Sequence, residues 1–172
     1  MKKLLLSFLV SATLIACTNQ PKADTASANA PLRSYGVGVD SSANIDLIKK
    51  SNSCIADVKN DFDTYKTTYS DTAVFHDNGK KITLNDNLAI LEQWKKMGLS
   101  VSFEYNASWE DVLNKPDAKG SSNHVFCYLT ATFKKGDKTA SVAMFQADRV
   151  KDGKIIEEWV IYDSAPITEL LK

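Results

Sequence analysis

Three side chains of this 172-residue chain have types suited to proton transfer: His76, Asp77 and Asp163. A carboxyl group beside apolar walls has a raised pKa, which suits it to abstract or donate a proton. An imidazole titrates near neutrality and could shuttle that proton. Tyr65, Tyr105 or Tyr128 could donate a hydrogen bond to a developing oxyanion. The reaction class would be proton transfer at a carbon next to a carbonyl. Each residue also has a plainer use. Asp77-Asn78-Gly79 is good turn chemistry, His76 can be a satisfied structural histidine, and Asp163 can fix the end of a strand. His76 and His124 are far apart in sequence without flanking ligand spacing, so no metal site is expected. The chain has no phosphate loop, no Ser/His/Asp set and no dinucleotide fingerprint, and no cofactor is expected.

The start of the chain carries chemistry of another kind. Lys2 and Lys3 give a positive n-region, and Leu4 to Ile15 is an apolar run broken only by small residues. That run is too short to span a bilayer, which takes roughly 20 apolar residues. Leu14-Ile15-Ala16-Cys17 then matches the lipobox L-x-[AG]-C. Residues 1–16 are expected to be a lipoprotein signal peptide, and Cys17 the lipidated new N-terminus. A diacylglyceryl group and an added acyl chain together anchor stably where one chain is marginal. Thr18 follows, not Asp, which points to the outer membrane of a Gram-negative cell envelope. An ordinary secretory signal with a chance cysteine is the alternative.

Thr18 to Asn44 is rich in Ala, Ser, Thr, Asn and Pro, and its few apolar residues lack a period. Residues 17–44 are therefore expected to be a flexible tether, with an r.m.s. span near 30 Å. Residues 45–172 remain for one domain with its own core. The chain has 21 basic and 21 acidic residues; loss of Lys2 and Lys3 leaves 19 against 21. No basic stripe is present, which argues against nucleic acid as a partner. Cys54 and Cys127 could bridge in an oxidising compartment or remain two buried thiols.

The elements that must position these residues follow from periodicity. Ile45 to Tyr69 reads as an amphipathic helix, with Ile48, Ile55, Val58, Phe62, Tyr65 and Tyr69 on one side. Ala73 to His76 and Lys81 to Leu84 are short extended pieces around the Asp77-Asn78-Gly79 turn. A second helix, capped by Asn85 or Asp86, ends near Gly98. From Leu99 the period is two, with Leu99, Val101, Phe103, Tyr105, Ala107 and Trp109 on one face. Three more strands follow: His124 to Phe133, Thr139 to Val150 and Ile155 to Asp163. Helices followed by consecutive hairpins imply an α+β fold, with helices covering one face of a curved antiparallel sheet.

Two stretches carry a family resemblance. Tyr69-Ser70-Asp71-Thr72-Ala73-Val74-Phe75-His76-Asp77-Asn78-Gly79 resembles the Y-x-D-D-A-V-F-x-D-P-x-G stretch of SnoaL-like proteins. Arg149 to Trp159 resembles their closing R-x-x-D-G-K-I-x-E-x-W hairpin. These proteins belong to the nuclear transport factor 2-like, or ketosteroid-isomerase-like, superfamily. The resemblance covers roughly residues 45–165, with Asn78 standing where many members have Pro. It implies a cone, a bent sheet wrapped around the N-terminal helices, with residues 73–77 near the mouth of a pocket. The fold hosts isomerases, dehydratases, cyclases, epoxide hydrolases and members without known activity, so it does not settle function.

Aromatic residues are the remaining signal. Tyr65, Trp94, Tyr105, Tyr128 and Trp159 are expected around a pocket for a small apolar molecule; core packing is the simpler use of most of them. On the strand from His124, Phe126, Tyr128, Thr130 and Thr132 face one way, and Val125, Cys127, Leu129, Ala131 and Phe133 the other. One face would line the cone and the other could receive a second subunit. Three functions are therefore open: a membrane-anchored ligand-binding or accessory module, an isomerase- or dehydratase-type enzyme, and a dimerising structural module without ligand.

Overall fold

A computed structural model describes residues 36–56 and 60–172. The expected signal peptide, Cys17 and the expected tether up to residue 35 lie outside these residues. The described chain runs β1 (Gly36–Val39), α1 (Ala43–Ile55), α2 (Phe62–Thr68), β2 (Tyr69–Asp77), β3 (Lys80–Thr83), α3 (Leu84–Lys96), β4 (Leu99–Leu113), β5 (Asn123–Lys135), β6 (Lys138–Lys151), β7 (Lys154–Tyr162) and α4 (Ala165–Leu171). The seven strands form one curved, open sheet in the order β1-β4-β5-β6-β7-β2-β3. It is α+β, as the periodicity leads one to expect, and β4 to β7 form the long meander. One pairing departs from the antiparallel expectation: β2 lies parallel to β7.

The inner face of the sheet holds the core. Val125, Cys127, Leu129, Ala131 and Phe133 on β5 are all buried, against Ile45, Ile48 and Cys54 of α1 and Leu91 of α3. Cys54 and Cys127 are both buried and do not bridge to each other. Among the described residues no helix is long and apolar enough to cross a membrane.

Four boundaries differ from the sequence reading. Residues 36–39, assigned to the tether, form an edge strand on β4, with Gly36 opposite Leu113. Four residues are too few to show a period, and Gly36 is needed because a Cβ there would lie 2.1 Å from the Val112 carbonyl oxygen. The single helix expected over 45–69 is two. Ala56 is extended, Asn60 is left-handed (φ 44°), and the Asp61 side chain restarts the helix by accepting from the Thr64 N–H. Helix α3 starts two to three residues earlier than expected: Thr83 is its cap, in a reciprocal capping box with Asp86. In β4 the alternation breaks at a bulge between Tyr105 and Ala107. One extra residue reverses the facing of every later side chain, so Trp109 stacks on Phe126 on the outer face (5.3 Å between centroids) and Glu110 is buried.

Two of the tight turns share one local chemistry. Asn78 and Gly79 are both at positive φ (47° and 85°), and so are Asp152 and Gly153. This is the two-residue hairpin geometry that fits the right-handed twist of paired strands. The first turn is tied to the end of β7, because the Asn78 N–H donates to the Val160 carbonyl and its Oδ1 accepts from the Tyr162 N–H. Asp77 and Tyr162 are held side by side as a result.

Candidate functional site

Strand alternation separates the three residues expected to act together. On β2, Phe75 pairs with Glu158, His76 with Trp159 and Asp77 with Val160. Odd positions from Ala73 on β2 and even positions from Glu158 on β7 face the helices. Asp77 therefore lines a cavity under the sheet, whereas His76 stands on the opposite, outer face. Asp163 is exposed, and its carboxylate accepts from the Ala165 N–H at the start of α4 (2.9 Å). The three do not converge.

The expected pocket aromatics divide in the same way. Trp94 lines the cavity. Tyr65 is buried beside it, its hydroxyl donating to Asn87 (3.0 Å). Tyr105 reaches its edge, accepting from Asn52 (2.8 Å). Tyr128 and Trp159 are on the outer face, because each sits one residue out of phase with the buried series Cys127–Leu129 and Glu158–Val160. Tyr128 is 47% exposed, and Trp159 stacks on His76 at 5.0 Å with planes 7° apart.

The cavity measures about 90 Å³. Phe75, Ile90, Leu91, Trp94, Phe103 and Phe133 are prominent among its apolar walls, and its polar lining comes from Asn52, Asp77, Asn87, Gln146 and Tyr162. Asp77 Oδ1 is buried and accepts no hydrogen bond within the chain. The neighbouring Tyr162 hydroxyl is pushed up in pKa by burial and by Asp77.

Beside the cavity lies a buried acid pair that sequence reasoning missed. Asp148 on β6 and Glu158 on β7 are cross-strand partners, which places their side chains within contact distance on the inner face. Both are almost wholly buried, at 1% and 7% exposure. Burial and the adjacent Glu158 push Asp148 well above the ordinary carboxyl range. Burial likewise pushes Glu158 up to about 7, against the hydrogen bonds it receives from Tyr69, Asp148 and Gln146. Two adjacent buried carboxyl groups with no base beside them favour one shared proton over two charges. The Tyr69 hydroxyl donates to Glu158 at 2.7 Å and itself accepts from Ser51. Gln146 spans cavity and pair: its Oε1 accepts from Asn52 (2.8 Å), and its Nε2 lies 3.4 Å from Asp148 and 3.3 Å from Glu158. The signal was present in the alternation of β6. Val142, Met144, Gln146, Asp148 and Val150 share one phase, and two polar residues interrupt an otherwise apolar inward series.

The outer-face residues form a separate structural knot. His76 Nε2 is 2.9 Å from Glu157, which also takes Lys119 (2.5 Å) and Arg149. Arg149 lies over the Trp159 ring at 5.0 Å and reaches Asp117, which also pairs with His124 (3.0 Å). Burial alone would raise Glu157 and Asp117, but these donors, joined at Asp117 by the Ser121 and Lys119 N–H groups, hold both below the ordinary range. The Arg149, Glu157 and Trp159 positions of the closing motif thus fasten the loop after β4 to the sheet. Among the described residues no group of three His, Cys, Asp or Glu is placed to hold a metal ion.

No protein-family model matches the chain, and no curated protein matches it significantly. Solved structures share its fold. An LEH-like epoxide hydrolase from M. tuberculosis is 16% identical, over 75% of this chain and 89% of that one, with a TM-score of 0.57. A SnoaL-like protein from Shewanella putrefaciens is 15% identical over 76% and 97%, with a TM-score of 0.55. A protein with a ketosteroid isomerase-like fold from Catenulispora acidiphila, solved with trimethylamine, is 10% identical over 73% and 91%, with a TM-score of 0.56. The described domain has the nuclear transport factor 2-like fold that its two motifs imply.

Proposed function

We propose that this chain is a lipid-anchored protein of the cell envelope, held at the outer membrane through Cys17, whose cone-shaped domain binds a small, largely apolar molecule. The lipobox and the polar stretch behind it support the anchored half of this reading. The ligand half rests on one observation: Asp77 Oδ1 is a buried acceptor without a partner, at the edge of an apolar cavity. An unpaired buried polar atom costs about 1–3 kcal/mol. A ligand that donates one hydrogen bond there, with an apolar body against Phe103, Phe133 and Leu91, relieves that cost and buries apolar surface.

The test is a thermal-shift screen of the full chain in detergent against small alcohols, ketones and amines. A compound that binds only the folded state raises Tm by mass action. At least one should do so. Ile90→Trp, which fills the cavity, should abolish the shift, and His76→Ala on the outer face should leave it intact. No shift with any compound, or a shift that survives Ile90→Trp, would contradict the reading.

The Asp148–Glu158 pair favours a second reading, an isomerase- or dehydratase-type enzyme. A carboxyl that titrates near 7 exists in both forms at neutral pH, the condition for general acid–base work. Asp77 would then be the base facing the substrate, and the pair a proton reservoir behind it. Turnover of a β,γ-unsaturated ketone, lost in Asp77→Asn and in Glu158→Gln, would establish it; absence of turnover leaves a binding module. The exposed Tyr128 and Ile161 support a third feature, a second copy of the chain on the outer sheet face. Sedimentation equilibrium of the parent and of Tyr128→Lys would detect it.

A further inference from the structure

We infer that the molecule bound in the cone is a small organic ammonium cation. The inference deepens the ligand-binding reading and rests on it. Three acids meet on the inner face: Asp77 lines the cavity, and Asp148 and Glu158 stand next to it, with Asp77 close enough to act on Glu158 through its charge. No Lys, Arg or His is among the described residues that line the cavity. Lys49 of α1 reaches the Tyr105 ring (5.5 Å) but is not part of the lining.

The outer face of the same strands provides the contrast. There Glu157 has Lys119, Arg149 and His76, and Asp117 has Arg149 and His124. The chain gives these two outer acids bases and gives Asp77, Asp148 and Glu158 none. A buried carboxylate is costly unless a positive charge and hydrogen bonds compensate it. A neutral hydroxyl on a ligand would complete Asp77 Oδ1 but supply no charge. An ammonium group supplies both. The remaining walls suit such a cation, because Phe75, Trp94, Phe103 and Phe133 offer ring faces and edges around its alkyl groups, and a desolvated cation is attracted to an aromatic face. The cavity size limits the ligand to a compact alkylammonium.

The experiment compares tert-butylammonium chloride with tert-butanol, which match in shape and differ in charge. Isothermal titration calorimetry is run on the full chain in detergent, with sodium chloride matched. The expected result is at least tenfold tighter binding of the ammonium, a preference erased by Asp77→Asn. Trp94→Leu should weaken the ammonium more than the alcohol and serves where Asp77→Asn does not fold. Equal affinities, tighter binding of the alcohol, or a preference that persists in Asp77→Asn would overturn the assignment. Binding of neither compound, when a neutral ligand has been found by thermal shift, overturns the ammonium assignment alone. Binding of neither, with no neutral ligand found, overturns it together with the pocket reading.

Discussion

The buried carboxyl of Glu158 carries the clearest electrostatic consequence. It faces Asp148, Tyr69, Gln146 and Asp77, of which none is a base. Its ordinary value is 4.5, and in the folded chain it is about 7. The folded state therefore keeps a proton that the unfolded chain releases. Its stabilising contribution is complete below about pH 4.5 and is lost as pH rises through 7. At 1.36 kcal/mol for each pH unit the difference is on the order of 3 kcal/mol. Thermal unfolding should show a higher Tm at pH 5 than at pH 8, and Glu158→Gln should flatten most of that slope. A parent Tm unchanged between the two would contradict the proton-sharing pair. At this scale the sequence was half legible. Asp77 could be picked out because it sits in a motif, and it does line the cavity. His76 sits in the same motif but on the wrong side of a strand. Asp148 and Glu158 were hidden because a polar residue in an inward phase shows only once the phase is known, and β6 and β7 shift register between Arg149 and Val150.

The elements themselves were more legible than their ends. Long strands of period two, and turns built from Asn-Gly and Asp-Gly, declare themselves locally. The bulge at Asn106 does not, since it depends on how β5 pairs, and it moved Trp109 from the expected inner face to the outer. Edge strand β1 was invisible for the opposite reason. Its partner is more than seventy residues away, and only the approach of Gly36 to the Val112 carbonyl reveals the need for a glycine. Gly36→Ala should release β1 from β4 and cost about 1–3 kcal/mol. Faster amide exchange at Val112, but not at Leu113, whose N–H donates to Ser122, would show it. Unchanged exchange and stability would mean that β1 contributes nothing to the fold.

Across the whole molecule, the two sheet faces divide the labour. The outer face is fastened by paired charges and stacked rings, and the inner face keeps acids without a base beside an apolar cavity. The proposed membrane anchor rests on the N-terminal residues alone. Cys17→Ser should move the protein from the membrane to the soluble fraction of cells and remove label from radioactive palmitate. Label kept by Cys17→Ser would place the lipid elsewhere, and a parent that takes up no label would contradict the anchor.

The claim that the cone is a ligand site is tested most directly by methyl NMR. The full chain is labelled at Met, Leu, Ile and Val methyls and titrated with tert-butylammonium or with any compound found by thermal shift. Met144, Leu91, Ile90, Val101 and Val160 line the cavity, and Ile161 stands on the outer face, 62% exposed. The account requires saturable shifts at the five cavity residues and none at Ile161. Shifts confined to Ile161 and its outer-face neighbours would contradict it and place the interaction on the outside of the sheet.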